Sequence, residues 1–232
     1  MRRRRVRRRA AGTAVAALLL AGCAQAAGPA AHAPGDAAQA AGRAQDLPPV
    51  VDHVRTRDKV VFLTYDDGAE RHPHVTDLVL ARRLPVTLFL TDTVAGPAYG
   101  DLARLRSVGA SLQNHTLDHR SLRGLPYAGQ RAEICGQQRK LKSRFGVRPR
   151  LLRPPHGTYD TTTLRAAADC GITAVVLWRA RVTADGDFAY SRGERRLHPG
   201  DIVAVTAPER TQELLREIEE RGLRVGRLED YL

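Results

Sequence analysis

The sequence has few aromatic residues, and it has no acidic residue before Asp36. Phe, Trp and Tyr together make up 5% of its 232 residues, and there is a single Trp. After the first nine positions, no dense basic segment with interleaved aromatic residues appears, which argues against a nucleic-acid-binding surface. The net charge of +12 is misleading, because seven arginines stand among residues 1–9. Without them the charge is about +5, and we predict no nucleic-acid partner.

The sequence also lacks an apolar run long enough to span a bilayer, which takes about 20 residues. The shorter run Ala10–Leu20 follows the arginine block and is typical of a secretory signal peptide. Leu20–Cys23 then resembles the bacterial lipobox, whose cysteine becomes the lipidated mature N-terminus. The alternative is an ordinary signal peptide cut at Ala24–Ala26. We predict a lipoprotein signal peptide over residues 1–22, with Cys23 lipidated and the protein exported and anchored to the outer face of the cell membrane.

Cysteine is scarce, and apart from Cys23 the chain contains only Cys135 and Cys170. In an exported protein such a pair can form a disulfide. Both lie on predicted helices, so each can equally be a small buried apolar residue. The sequence leaves these two alternatives open. An isolated pair at this spacing does not resemble a zinc site.

The composition changes at about residue 50. Residues 23–49 are rich in Ala, Gly and Pro, which predicts a flexible linker. Over residues 50–232, short apolar runs alternate with helical patterns, which predicts one α/β domain with a parallel sheet. About seven strands in fewer than about 180 residues favour a small or incomplete barrel.

The boundaries of the predicted elements follow from the apolar periodicity and from Gly and Pro signals. The predicted strands are Val60–Thr64, Val86–Leu90, Ala110–Gln113, Leu151–Leu152, Ile172–Leu177, Ile202–Val205 and Leu223–Val225. The predicted helices are Val75–Leu84, Tyr99–Val108, Ala128–Phe145, Thr161–Cys170 and Thr211–Arg221.

The most informative stretch is Val60–Gly68, an apolar run that ends in two carboxylates and a glycine. The run is continuous, which favours a strand buried on both faces. Asp66 and Asp67 then stand at the carboxyl end of that strand, where α/β folds keep their active sites. Adjacent residues of a strand point to opposite sides, so one carboxylate can bind a metal while the other handles a proton. Alternatively, the two carboxylates belong to a solvated turn.

A second motif follows another predicted strand. His115 and His119 are four residues apart, which on one turn of helix places them on one face and allows them to bind one metal ion. Imidazole suits zinc and similar divalent ions. Together with one aspartate they would supply three ligands and leave a position open for water, as catalytic zinc sites require.

A third motif, Arg153–Asp160, also follows a predicted strand. Two prolines and a glycine favour a rigid loop that can hold a backbone N–H in place for a developing oxyanion. Arg153 can pair with a carboxylate and keep it ionised. The alternative is a surface turn with an ordinary salt bridge.

Together, Thr64–Gly68, His115–His119 and Arg153–Gly157 resemble the first three motifs of the polysaccharide deacetylase family, the NodB-homology group of carbohydrate esterase family 4. The resemblance covers the chain from about Lys59 to its end. It implies an α/β fold, a small distorted (β/α) barrel with about seven parallel strands. It also implies a divalent metal cofactor, most often Zn2+, and removal of N-acetyl groups from peptidoglycan or chitin-like glycans.

Carried over by matching positions, the resemblance implies that Asp66 is the catalytic base and that Arg153 orients it. The implied metal ligands are Asp67, His115 and His119. The backbone N–H of His156 would complete the oxyanion hole, at a position where most relatives have an aromatic residue. The residues expected to contact the substrate are Pro155, Gly157, Tyr159 and Trp178, with the alternative that Trp178 is simply a core residue. The expected partners are a polysaccharide and, through the lipid anchor, the membrane, and we expect a monomer.

The sequence departs from the family near its end. Relatives have Leu-x-His after a Pro-Gly and a strand, whereas Pro199–Thr206 contains no histidine. The family's fourth motif joins Trp to aspartates, but here Trp178 is followed by Arg179 and Arg181. The usual general acid and its supporting carboxylate are therefore both missing.

Three interpretations follow. Another group supplies the proton, either His156, Glu209 or protonated Asp66, and a slower deacetylase remains. The substrate is instead an ester, whose alkoxide leaves more easily than an amine. Or the protein binds glycan or metal without turnover. The complete base and metal set favours a metal-dependent hydrolase, since a simple binding protein would not need both Asp66 and Asp67.

Overall fold

The computed structural model describes residues 47–183, 185 and 187–232. The predicted signal peptide, the predicted lipidation site Cys23 and nearly all of the predicted linker lie outside the described residues. Within the described part of the chain, no helix is both long and apolar enough to cross a membrane.

One sheet of ten strands organises the described residues. The strands are β1 (Val50–Val51), β2 (Val60–Tyr65), β3 (Thr87–Leu90), β4 (Ser111–Asn114), β5 (Leu151–Leu152), β6 (Ala174–Val176), β7 (Ala180–Val182), β8 (Phe188–Tyr190), β9 (Ile202–Val205) and β10 (Arg224–Val225). All seven predicted strands are present. Sequence periodicity missed β1, β7 and β8, which are short and were not set off by a neighbouring predicted helix.

The sheet curls into the distorted (β/α) barrel that was expected. Its order is β1-β6-β5-β4-β3-β2-β9-β7-β8, with β10 beside the start of β2. Every pairing is parallel except the antiparallel pair β7–β8. The backbone N–H of Val54 donates to the carbonyl of Gly200 at 2.8 Å, and His53 forms an isolated bridge with Asp201. The segment after β1 therefore meets the segment before β9.

Six α-helices accompany the strands in the described part of the chain. They are α1 (Pro73–Arg82), α2 (Asp92–Ala95), α3 (Tyr99–Ser107), α4 (Tyr127–Phe145), α5 (Thr161–Asp169) and α6 (Thr211–Glu220). Five were predicted to within about two residues, and the short α2 was missed. Helix α4 ends at Gly146, whose left-handed backbone (φ 70°) caps it as expected.

Strand β2 is buried on both faces, as its continuous apolar run predicts. Its residues Val61, Leu63 and Tyr65 join an apolar layer that contains residues of α1, α3 and α6. Val60 and Phe62 belong to a second cluster with residues of β3, β5, β6 and β9, which fills the inside of the barrel. Side chains alternate along a strand. Thr64 therefore lies on the same face as Phe62, and Asp66 continues that face just after the strand ends.

A disulfide joins Cys135 of α4 to Cys170, the residue that ends α5. The two Cα atoms are 5.0 Å apart, and the two residues are separated by 35 positions in the sequence. The structure therefore decides between the two alternatives that the sequence left open.

Candidate active site

Arg153 follows β5 and is fully buried. Its Nη1 donates to Oδ1 of Asp66 at 2.9 Å, and its Nη2 donates to the hydroxyl of Thr64 at 2.8 Å. The backbone carbonyls of Val176 and Leu177 accept from the same guanidinium at 3.3 and 3.2 Å. These acceptors fix the guanidinium in one orientation, and the guanidinium in turn fixes the carboxylate of Asp66.

This arrangement keeps Asp66 ionised. Burial by itself raises the pKa of Asp66, but the charge of Arg153, the charge of His115 and the hydrogen bond from Arg153 outweigh burial and lower that pKa below its usual range. The side chain of Asp66 remains 32% exposed. A deprotonated carboxylate that solvent can reach is able to accept a proton from a water molecule.

Two histidine side chains meet beside this ion pair. His115 comes directly after β4 and is buried, and its Nδ1 lies 2.7 Å from the carbonyl oxygen of Arg153. Since a carbonyl only accepts, Nδ1 carries a proton, and in the neutral form of the ring Nε2 keeps a free lone pair. That Nε2 lies 3.2 Å from Nε2 of His119. One residue, Arg153, therefore orients Asp66 through its side chain and His115 through its backbone.

The histidine pair fits a divalent metal ion such as Zn2+. Zn–N bonds of about 2.0–2.1 Å place two tetrahedral ligands about 3.3–3.4 Å apart, close to the observed separation. Partial burial, followed by the charges of His115 and His156, lowers the pKa of His119. A lowered pKa favours the neutral imidazole that metal binding requires. A backbone acceptor on the far nitrogen of His115 is the usual support for a metal-binding imidazole.

Asp67, the predicted third ligand, follows Asp66 after the end of β2, and its charge acts on His119 together with that of Asp66. Its Oδ1 accepts from the backbone N–H of Thr91 at 2.9 Å, and its Oδ2 accepts from the hydroxyl of Thr91 at 2.6 Å. Across the described residues, no three His, Cys, Asp or Glu side chains converge closely enough to hold a metal ion. The part of Asp67 in metal binding therefore stays a prediction.

The prediction that the two histidines share a helical turn is wrong. They lie on an irregular loop in which Thr116 (φ 74°) and His119 (φ 56°) adopt the left-handed conformation. The side chain of Asn114 supports this loop, accepting from the N–H of Thr116 at 2.8 Å and donating to the carbonyl of Ile134 at 2.9 Å. A left-handed β-branched residue costs on the order of 1–2 kcal/mol. A loop can thus bring residues four apart together as a helix would.

The third motif forms a short 3-10 turn, Pro155–Gly157. His156 is also left-handed (φ 59°), and its exposed ring lies 5.0 Å from the ring of His119. A side chain at Gly157 would begin 2.9 Å from the ring of Trp178. Of the four non-glycine residues with positive φ in the described chain, three lie at this site. Strained backbone of this kind concentrates at functional sites.

The predicted substrate-contacting residues do not all fall together. Pro155 is buried, and Gly157 packs on Trp178 beside the ion pair. Tyr159 lies farther along the loop, where its backbone carbonyl accepts from Nε of Arg123 at 3.0 Å. Contact of these residues with a substrate stays a prediction.

Sequence reasoning missed Thr91, which binds both oxygens of Asp67. A signal was available, because Thr91 directly follows β3 and so stands at the same edge of the sheet as Asp67. The signal was missed because a single threonine after a strand is commonplace.

The structure also places the residue that stands where relatives carry the acid. Thr206 follows β9, and extending the pairing of Thr64 with Ala204 sets Thr206 opposite Asp66. Its hydroxyl donates to the carbonyl of Val182 at 2.7 Å.

Residues 53–175 match the family model described as polysaccharide deacetylase, which is just over half of the chain. The chain belongs to the polysaccharide deacetylase family. Across 99% of its length it is 71% identical to the uncharacterized protein SCO4760 of Streptomyces coelicolor, all of which is covered. Over 50% of its length it is 30% identical to a chitooligosaccharide deacetylase of Bradyrhizobium sp.. It spans 54% of the latter relative, so only about half of a named deacetylase is matched.

Solved structures confirm the deacetylase fold. A family 4 pseudoenzyme of Bacillus anthracis, BA3943, has a TM-score of 0.69 at 18% identity, covering 79% of this chain and 69% of the pseudoenzyme. A family 4 carbohydrate esterase of the same organism has a TM-score of 0.66 at 21% identity, covering 78% and 86%. An esterase and a pseudoenzyme resemble the chain equally well, so whether it turns over substrate must be argued from its own residues.

Proposed function

We propose that this polysaccharide deacetylase is a metal-dependent hydrolase that removes N-acetyl groups, or related O-acyl groups, from peptidoglycan or chitin-like polysaccharides. The observation that carries the proposal is the double action of Arg153. Its guanidinium holds Asp66 as an ionised base, and its carbonyl turns His115 so that the Nε2 atoms of His115 and His119 face one another.

A divalent ion, most suitably Zn2+, would be held by His115 and His119 with Asp67, and when bound it polarises the acyl carbonyl and acidifies water. The residues of the chain supply the other parts of the chemistry. Asp66 takes a proton from the attacking water. The backbone N–H of His156 is assigned to the developing oxyanion. Trp178 and the turn Pro155–Gly157 form the adjacent wall, which suits a sugar ring.

The departing sugar amine needs a proton, and two donors are available. The imidazole of His156 lies beside His119 and is exposed at the site. The proton that Asp66 has taken can also be returned to the amine. Glu209, the third candidate from the sequence, is exposed on the turn Pro208–Arg210. Within the described chain it makes no hydrogen bond or ion pair with the residues of this site.

The test is acetate release by the full chain, loaded with Zn2+, from N-acetylglucosamine oligomers and from peptidoglycan. We expect release that disappears after EDTA treatment and returns when the metal is restored. The full chain with Arg216→Gln, a substitution on the exposed face of α6, serves as the control and should behave like the native protein. No release from any acetylated glycan, with the metal stoichiometrically bound, would contradict the proposal.

A second candidate function, glycan or metal binding without turnover, is favoured by one observation. Thr206 stands opposite Asp66 with its hydroxyl bonded to a backbone carbonyl, and a threonine hydroxyl is a poor acid. The same acetate assay separates the two functions. Saturable glycan binding with no acetate released would favour the binding protein.

We also propose that the protein is exported, lipidated at Cys23 and attached as a monomer to the outer face of the cell membrane. The support is the order of arginine block, apolar run and Leu-Ala-Gly-Cys in the sequence. Cys23→Ser should move the protein from the membrane fraction to the soluble fraction. Cys135→Ser is the control and should leave it with the membrane, whereas retention of the Cys23→Ser protein would contradict the anchor.

A further inference from the structure

Arg181 lies in the middle of β7, on the face of the sheet that carries the site. Its neighbours Ala180 and Val182 are buried in the apolar layer that contains helix residues. Because side chains alternate along a strand, Arg181 points the opposite way, into the barrel. The parallel pairings align Arg181 with Ala204, and Ala204 with Thr64. Thr64 is the residue whose hydroxyl accepts from Arg153.

Trp178 lies within reach of both arginines. The guanidinium carbon of Arg181 is 4.4 Å from the centre of the Trp178 ring, and that of Arg153 is 5.5 Å away. The same ring packs on Gly157 of the turn that bears His156. Arg181 therefore belongs to the wall of the candidate active site and is not part of the solvated surface.

Unlike its neighbours, Arg181 has no anionic partner among the residues that the structure describes. Arg153 pairs with Asp66 at 2.9 Å, and Arg179 pairs with Asp52 at 3.2 Å. Within residues 47–183, 185 and 187–232, Arg181 makes neither an ion pair nor a hydrogen bond through its side chain, and its Nε is buried without an acceptor. Buried donors in proteins are nearly always satisfied, so an acceptor beyond the described residues, such as a bound ligand, is expected here.

The charge of Arg181 also acts on its neighbour Arg153. Burial is the main cause that lowers the pKa of Arg153, and the nearby charge of Arg181 lowers it further. Asp66 already balances Arg153. A second anion beside Arg181 would balance the remaining charge, and the forked guanidinium suits a carboxylate through two parallel hydrogen bonds.

We propose that Arg181 binds a carboxylate carried by the substrate glycan, so that the protein prefers acidic saccharides, with a uronic acid or a carboxyl-bearing ether on the sugar, over neutral chitin-like ones. This inference rests on the proposed action on glycans and specifies their chemical class. The acetate product offers the same carboxylate chemistry, and the experiment below separates the two sources.

The experiment compares a neutral probe, chitotetraose, with an acidic one, a tetrasaccharide of alternating N-acetylglucosamine and N-acetylmuramic acid. Dissociation constants are measured by titration calorimetry on the full chain, with EDTA present to stop turnover. KM is measured separately on the Zn2+-loaded chain. We expect tighter binding of the acidic probe, by about 10- to 100-fold, the range for hydrogen bonds to a charged group. The difference should shrink at high salt.

Arg181→Gln should remove most of that preference, because it should weaken binding of the acidic probe about 10-fold more than binding of chitotetraose, which has no carboxylate for the guanidinium to bind. Arg181→Lys should keep part of the preference, because it retains the charge but not the fork. The control Arg216→Gln removes the same charge from the exposed face of α6 and should change neither affinity. Thermal unfolding of each variant shows whether it folds.

Equal affinity of the native chain for both probes would overturn the inference, and so would a preference that Arg181→Gln leaves intact. If Arg181→Gln weakens inhibition by sodium acetate but keeps the preference for the acidic probe, the arginine binds the product and the inference is wrong. Acetate release without any preference for the acidic probe would contradict this inference and leave the proposed hydrolase function standing. Binding of the acidic probe that depends on Arg181, without acetate release, would support the inference and contradict the proposed hydrolase function.

Discussion

The two sides of the candidate site differ in how completely their polar groups are paired. On the side formed by the ends of β2, β4 and β5, Asp66, His115 and Arg153 hold one another at 2.7–2.9 Å. On the side formed by β7 and β9, Thr206 is bonded to a backbone carbonyl, and the side chain of Arg181 has no partner in the described chain. The first side is organised before any ligand binds, whereas on the second side the described residues give Arg181 no anionic partner.

The match to the family ends at residue 175, between these two sides. The residues assigned to the base and the metal all precede that point, and the missing acid and its carboxylate both follow it. Under the proposed function, the groups that activate water therefore lie within the matched segment, and the differences that concern proton delivery and the choice of substrate lie after it.

The role of the first side can be tested by replacing Asp66. Asp66→Asn removes the base but keeps a hydrogen-bond acceptor for Arg153, and kcat for acetate release should fall by about 10²–10⁴-fold. Acetate assays and thermal unfolding of the same preparation check this. Activity within about threefold of the native chain, with the fold intact, would assign the base to another group.

The ion pair between Arg153 and Asp66 can be removed by replacing Arg153. Arg153→Met leaves the carboxylate of Asp66 unpaired and removes a buried hydrogen-bond network, and the free energy of unfolding should fall by about 3 kcal/mol, the low end for a buried pair because Asp66 is partly exposed.

Urea denaturation measures the Arg153→Met change against Arg82→Met. Arg82 pairs with Glu219 at 2.9 Å on the surface, and its loss should cost less than about 1 kcal/mol. Equal losses of unfolding free energy in the two variants would show that the buried Arg153–Asp66 pair stabilises the protein no more than the surface pair does.

The disulfide braces the helices behind β4 and β5. Replacing both Cys135 and Cys170 with Ser should lower the free energy of unfolding by about 2–4 kcal/mol, because the bond closes a loop of 35 residues in the unfolded chain. Urea denaturation of the double variant checks this, with reduced native protein as the comparison. Unchanged stability in both samples would contradict the expectation.

On the second side, substitutions can introduce the histidine and the carboxylate that relatives carry. Thr206→His combined with Arg181→Asp places an imidazole opposite Asp66 and a carboxylate on the neighbouring strand to keep it protonated. With chitotetraose as the neutral substrate, kcat should rise by about 10-fold or more. Thr206→Gln with Arg181→Asp is the matched control. A gain in the control as well would show that proton delivery does not limit the rate.

The smallest effect is expected at Asp160, which caps α5 behind the first side. Partial burial raises its pKa, but hydrogen bonds from the backbone of Gly124 and Thr163 and from Gln130 outweigh burial and lower the pKa to about 2. Asp160→Ala should cost about 1 kcal/mol of unfolding free energy at pH 7.

The cost of Asp160→Ala should depend on pH. A folded-state pKa below the ordinary 3.8 means that the stabilisation is present above about pH 4 and is lost as the pH falls toward 2. Urea denaturation of native and variant chains at several pH values checks this. A difference that stays constant down to pH 2 would show that the charge of Asp160 contributes nothing.

Much of the fold could be predicted, because its signals are local. The apolar run of β2, the proline after α1 and the glycine after α4 each act within a few residues. The three motifs fell at one edge of the sheet because the carboxyl ends of parallel strands meet there. The helical turn assigned to His115 and His119 was wrong, because a spacing of four does not distinguish a helix from a loop supported by Asn114.

The sequence by itself determined the three motifs, the barrel that presents them, and the absence of a histidine where relatives carry an acid. Only the tertiary structure decided how those groups are paired. Arg153 meets Asp66 from 87 positions away, and Cys135 meets Cys170 from 35. The inward direction of Arg181 depends on its pairing with β9, which no local pattern reveals. Contacts between distant segments arise from packing and strand register, and these are properties of the folded chain as a whole.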